Sequence, residues 1–173
     1  MFKNRQLSTP SRQLYVIGNG FDLHHQIRTG YQDFRHFVLE NNQEIHDAAM
    51  NYVFFEDVDL WRSFEQQLAH LDADSLSDEL GCYLTSYGAE GWSDSAHGDY
   101  EYELEKRLDQ LAGGLHAEFC KWIRTVRIPS RDQACGSLLN INPSGDFLNF
   151  NYTDTLERVY GVPQSKFSSD TEV

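Results

Sequence analysis

Positive charge is scarce in this sequence: 14 Lys and Arg stand against 27 Asp and Glu over 173 residues, for a net charge of −13 at pH 7. No basic run exceeds Lys106-Arg107, so the cationic footprint needed by a phosphate backbone is missing, which argues against nucleic acid as a partner. Cysteine is scarce as well. Cys82, Cys120 and Cys135 are an odd number at wide spacing with no CxxC, a pattern that fits neither a disulfide framework nor a zinc site and suits a reducing compartment. No metal site is expected. Apolar runs fall far short of the roughly 20 residues of a spanning helix, and residues 1–12 lack the apolar stretch of a signal peptide. A soluble, cytoplasmic protein with no membrane partner is the expectation.

What is present is core material. With 40% hydrophobic residues, a chain of this length buries roughly 70% of its unfolded surface. The pattern divides into a polar, flexible N-terminus over 1–12, a single α/β domain over 13–167 with a helical insertion at about 42–128, and a polar tail over 168–173. Leu14, Tyr15, Val16 and Ile17 form a short apolar run closed by Gly18, as in a buried parallel strand. Thr29-Gly30-Tyr31-Gln32 has the capping-box spacing, predicting a helix to about Asn41 with Tyr31, Phe34, Phe37 and Val38 on one face. Trp61, Phe64, Glu65 and Leu68 recur at helical spacing, with Glu65 either a solvated charge at the stripe edge or a group aimed at a site. Asp72 to Asp99, rich in glycine and acid, reads as a flexible connection in which Cys82, Tyr83 and Leu84 form at most a short buried turn. Leu104, Leu108, Leu111, Leu115, Phe119, Trp122 and Ile123 predict a helix from Tyr100 to about Val126, with a kink or break allowed at Gly113-Gly114. Trp61, Phe64, Phe119 and Trp122 are expected in the core. Asp146 to Tyr152 reads as a strand entering a polar turn, and a last helix runs through Tyr160 to Gly161 as its C-cap. A strand, then helices, then strand-turn-helix suggests a Rossmann-like parallel sheet with flanking helices.

Ligands of such sheets sit outside the carboxyl ends of the strands, and two polar loops are predicted there. Gly18-Asn19-Gly20-Phe21 can bring bare backbone close to a phosphate, or can simply be a tight turn. The dinucleotide fingerprint is incomplete: Leu23 stands where its third glycine belongs, and no acid-ended strand follows about 20 residues later. An ordinary Rossmann dehydrogenase is disfavoured. The second loop, Asn149-Phe150-Asn151-Tyr152-Thr153-Asp154, crowds hydrogen-bonding side chains at a strand end. Such groups are costly to bury unless they cap a helix or hold a ligand. Thr153 or Asp154 can cap the last helix, while Asn151 is the candidate for the site. Asp22 serves either that site or its own loop, through nearby backbone amides.

The stretches VIGNGFDL, TGYQDF, WRSFE and FLNFNYTDTLERVYG, taken together, resemble the bacterial AbiH family of phage abortive-infection proteins from Tyr15 to Lys166. The resemblance implies a cytoplasmic defence protein that harms or arrests the infected cell, with a phage trigger or partner protein that the motifs do not identify. A more distant similarity is to sirtuin-like NAD-consuming domains, through Gly18-Asn19-Gly20, Asp33-Phe34-Arg35 and Phe150-Asn151-Tyr152-Thr153-Asp154. It implies NAD as substrate or ligand, with Asn151 and Asp22 in the chemistry. Asn151 would bind the nicotinamide ribose or position water. Gly18, Asn19, Gly20, Phe21, Asp33, Asn149, Tyr152, Thr153 and Asp154 would line the nucleotide.

Members of such families continue past the last helix into an apolar strand and a His-Gly, whereas this chain ends SKFSSDTEV and none of its seven histidines follows Asn151. The expectation is a C-terminally shortened member. Three readings follow: an antiphage NAD glycohydrolase in its complete form, a non-catalytic module sensing a nucleotide or phage factor, or an inactive fragment. His24 and His25 are the histidines nearest the glycine loop, and a surface role is the commoner fate of such residues.

Overall fold

The computed structural model describes residues 13–83 and 94–164. In chain order its elements are β1 (Leu14–Ile17), α1 (Gly20–His24), α2 (Tyr31–Asn41) and α3 (Gln43–Tyr52). A 3₁₀ turn at Val58–Ser63 leads into α4 (Phe64–Gln67), and α5 (Ala73–Glu79) leads into a second 3₁₀ turn at Leu80–Tyr83. Then come α6 (Asp94–Thr125), β2 (Asp146–Asn149) and α7 (Thr155–Tyr160). The chain separates after Arg28 and again before Val126 into two compact units, one made from its two ends and one from its middle.

In the unit made from the ends, β1 and β2 pair in parallel, in register from Leu14↔Asp146 to Ile17↔Asn149. Bonds from Asp146 N–H to the Gln13 carbonyl and from Phe150 N–H to the Ile17 carbonyl extend the ladder at both ends. Ile17 and Phe147 face a core completed by Phe21, Leu156, Val159, Tyr160 and Val162. Leu14 and Val16 alternate to the other face, as the two-residue period of a strand requires, and both are exposed there, so β1 is not the strand buried on both faces that its continuous apolar run suggests. α7 ends as expected: Gly161 takes φ +70°, the left-handed C-cap conformation that suits glycine. Mixed helix and strand with a parallel pair is thus observed, and the sheet has two strands among the described residues.

The middle unit is helical. Phe34, Phe54 and Trp61 are wholly buried. Trp61 stacks on Phe54 at 4.2 Å between centroids, and Phe34 meets Phe64, Phe119 and Trp122 at 5.2–5.5 Å. The Trp61 indole N–H donates to the Met50 sulfur at 3.2 Å. Burying such rings is the main stabilising term available to a helical unit.

Four local expectations change. The capping box does not form: Gly30 is the N-cap of α2 with no side-chain cap, and Gln32 donates to the Val58 carbonyl at 2.7 Å instead. The helix expected around Trp61 is a 3₁₀ turn followed by a single α turn. The supposed flexible connection begins with α5, whose N-cap Asp72 accepts from Ser75 N–H at 2.9 Å and Ser75 Oγ at 2.6 Å. Lastly, α6 starts earlier than Tyr100 and runs 32 residues straight through Gly113-Gly114. A Cβ at position 114 would stand 2.3 Å from Ile45 Cδ1, so this glycine marks a close approach of α3 to α6. The expectations for 1–12, 84–93 and 168–173, and for the burial of Cys82, Tyr83 and Leu84, lie outside the described residues.

Candidate functional site

Both polar loops leave the carboxyl ends of the paired strands, as parallel topology dictates. After β1 the chain enters α1 with Asn19 already in right-handed helical geometry. Phe21 N–H reaches back to the Gly18 carbonyl at 2.8 Å and Leu23 N–H to that of Asn19 at 3.1 Å. Neither glycine adopts a positive φ, and a Cβ on Gly18 or Gly20 would meet nothing within 4 Å. The local geometry therefore does not require glycine at either position. Open space in front of both Cα atoms is what bare backbone offers to an approaching group.

Asp22, in the first turn of α1, is 1% exposed. Its Oδ1 accepts from Asn151 Nδ2 at 3.2 Å and its Oδ2 from Thr153 Oγ1 at 2.6 Å. Thr153 Oγ1 also lies 3.0 Å from the hydroxyl of Thr155, which has no exposed surface. With the Thr153 proton committed to the carboxylate, Thr155 is the donor in that pair. Asn149 Oδ1 accepts from Asn151 N–H at 3.1 Å, an Asx-type turn that carries the chain out of β2. Asn149, Asn151, Thr153 and Asp22 thus form one network joining the two loops.

Asn151 is the informative member. Its amide nitrogen is anchored on Asp22, while its Oδ1 is enclosed and accepts no hydrogen bond among the described residues. An enclosed acceptor without a donor costs about 1–3 kcal/mol, and Asn151 Oδ1 is one of several enclosed polar atoms for which no partner is seen among the described residues. The Asp22 side chain reaches across to the second loop, to Asn151 and Thr153, rather than to the amides of its own turn among the described residues.

The other sequence candidates separate. Phe21 turns into the core, 5.4 Å from the Tyr160 ring. Tyr152 is 67% exposed. Asp154 is the N-cap residue of α7 but makes no cap bond, accepting instead from Arg158 Nε at 2.6 Å. Asp33 belongs to the helical unit, in the first turn of α2. Glu65, also in that unit, is exposed and takes the hydroxyl proton of Tyr31, the stripe-edge arrangement.

The two histidines serve structure. His24 Nε2–H donates to the Ser137 carbonyl at 2.9 Å. The buried His25 donates from Nδ1 to the Cys135 carbonyl and accepts at Nε2 from the Tyr160 hydroxyl, both at 3.0 Å. Tyr160 in turn accepts from Leu139 N–H at 2.9 Å. These bonds strap residues 135–139 along α1 and α7. Gly136 fits there with φ +80° and space for no Cβ, which would come within 2.9 Å of the His24 carbonyl. Nothing in the sequence signalled the strap, because its partners are main-chain atoms that every residue carries.

Among the described residues no group of three or more His, Cys, Asp or Glu is placed to hold a metal ion, and no helix is long and apolar enough to cross a membrane. Neither the curated proteins nor the solved structures yield a match. A family model described as Bacteriophage abortive infection AbiH matches residues 14–168.

Proposed function

Because the chain belongs to the bacteriophage abortive infection AbiH family, we propose that it acts in phage defence through a nucleotide site at the carboxyl ends of β1 and β2, and that the nucleotide is NAD. The observation that carries this reading is the Asn151 side chain, anchored through Nδ2 on buried Asp22, with Oδ1 enclosed and without a hydrogen-bond partner among the described residues. A ribose hydroxyl or an attacking water supplies the missing donor. The open space at Gly18 and Gly20 takes the pyrophosphate. In this reading β1 and β2 are the switch-point strands of a Rossmann-like sheet, and the site of action is the cytoplasm.

The reaction is hydrolysis of the nicotinamide glycosidic bond. The C1′–N bond breaks with its electron pair leaving on nicotinamide, water oxygen bonds to C1′, and one proton is released, giving nicotinamide and ADP-ribose. The transition state is oxocarbenium-like, and polar groups fixed around the ribose stabilise it. Asn151 touches the substrate or the water. Asp22, with both oxygens occupied, is a positioning residue that fixes the Asn151 amide.

The test is nicotinamide release from NAD. Asn151→Ala is expected to lower turnover by about 10²-fold or more, the scale of losing one oriented polar group. Gly20→Ala should fold normally, since its Cβ meets nothing, yet bind NAD poorly. Full activity in Asn151→Ala refutes its assigned role, and absence of NAD binding refutes the nucleotide reading. A second reading, a module that binds nucleotide without turnover, is favoured by the histidines: both donate to main-chain carbonyls of the strap, and His25 has its second ring nitrogen engaged by Tyr160 as well. Saturable NAD binding by calorimetry with no nicotinamide released selects it.

A further inference from the structure

The helical unit holds a groove of about 280 Å³ between α3, α5 and α6, independent of the NAD reading. Its floor is apolar, formed by Ile45 and Ala48 of α3, Leu76 of α5 and Leu111 of α6. Leu76 and Leu111 are buried. Its rim carries charge of both signs in a particular arrangement. Tyr52 donates its hydroxyl proton to Glu79 Oε2, while Arg107 Nη1 stands 3.7 Å from Glu79 Oε1. That separation is outside the range of about 2.7–3.2 Å for an N–H···O bond, so the guanidinium fork is only loosely held. Burial together with the neighbouring Glu79 raises the Tyr52 pKa, which keeps this residue a donor. Glu44 adds a second carboxylate to the rim.

An apolar floor beneath one loosely held guanidinium and two carboxylates is complementary to a molecule with an apolar body and both charges. We propose that this groove binds a small apolar amino acid, its side chain on the leucine floor, its carboxylate on Arg107 and its ammonium on Glu79 and Glu44. Arg matches a carboxylate through two parallel N–H···O bonds, and neither charge on the rim is then left facing its like. The volume, near the lower end of the roughly 300–1,000 Å³ typical of ligand pockets, suits one amino acid rather than a nucleotide.

Calorimetric titration of the full chain with L-leucine and L-phenylalanine tests this, beside isoamylamine and 4-methylpentanoate, which keep the apolar body and lose one charge each. Saturable binding of the amino acids is expected, with either single-charge analogue at least about tenfold weaker. Arg107→Gln should weaken leucine about tenfold and leave the amine unchanged, a comparison that separates lost recognition from lost folding. The proposal is overturned if neither amino acid binds, if an analogue binds as tightly as leucine, or if Arg107→Gln binds leucine as well as the native chain does.

Discussion

The largest of the most deeply buried described side chains in the helical unit are all apolar, Trp61, Phe34, Phe54, Leu76, Val38 and Val53, whereas the unit made from the chain ends encloses Asp22, His25 and Thr155 beside its leucine and valines. Both units bury polar groups, Thr29, His46 and Glu118 in the helical one, but the innermost positions of the helical unit are filled by packed rings and aliphatic groups, whereas those of the other unit include polar groups held by directed hydrogen bonds. Ring packing tolerates no vacancy and specifies little chemistry. A buried polar network specifies orientation, as the bonds from Asn151 and Thr153 to Asp22 do in the unit made from the chain ends.

The sharpest way to break the comparison is to remove the centre of each unit. Trp61→Ala deletes the ring that stacks on Phe54 and donates to Met50, and a loss of about 3–5 kcal/mol is expected from the cavity. Denaturant titration measures it. Asp22→Ala comes next. It leaves the Asn151 amide and the Thr153 hydroxyl without their acceptor, at about 1–3 kcal/mol for each donor left unsatisfied. If Asp22→Ala melts like the native chain, the network is not structural glue and the comparison fails on that side.

How far this contrast could be read from the sequence depends on which atoms carry it. β1 was legible because four consecutive apolar residues ended in glycine, and the end of α7 because Gly161 closes it. α3 and α5 were not. The buried stripe of α3 is His46, Ala49 and Met50, and α5 buries only Leu76, so neither offers an apolar period. α5 is set by Asp72 capping Ser75, a short-range signal lost among acidic neighbours. The crowding of polar groups in the second loop did flag Asn151, but its partner Asp22 lies 129 positions away. Only the parallel pairing of β1 and β2 brings them together. The glycine loop was legible as a motif, but the choice between a tight turn and open bare backbone was not, because the space around each glycine is a property of the folded neighbourhood.

A buried charge in the helical unit gives a pH-dependent version of the same contrast. Glu118 is 3% exposed and accepts from Asn42 Nδ2 at 3.0 Å and Lys121 Nζ at 2.8 Å. The Asn42 hydrogen bond, followed by that of Lys121, holds its pKa below the ordinary value of 4.5 against the opposing effect of burial. A depressed carboxylate contributes stability that is fully present above its unfolded pKa and is lost as pH falls through the folded one. Glu118→Gln should therefore lower stability at neutral pH, by about 1–2 kcal/mol for a charged hydrogen-bond pair. The gap to the native chain should close as pH falls below 4.5. Thermal melts of both proteins across pH 3–7 check it, and a gap that stays constant over that range rejects the linkage.

The smallest expected effect separates two adjacent residues of one helix. At Gly113 a Cβ would meet nothing within 4 Å, while at Gly114 it would stand 2.3 Å from Ile45 Cδ1 and 3.0 Å from Cγ1. Alanine in a helix interior is favoured over glycine by about 0.8–1.0 kcal/mol, so Gly113→Ala should stabilise the chain by about that amount. Gly114→Ala gains the same propensity but must displace the Ile45 side chain from the α3–α6 contact, and overpacking of this kind typically costs 1–3 kcal/mol, roughly cancelling or reversing the gain. Opposite or clearly unequal shifts in melting temperature from the two alanines are the expected result. Equal stabilisation would mean that α3 yields freely at this point, and that the helical unit is less tightly packed at its α3–α6 seam than its aromatic centre implies.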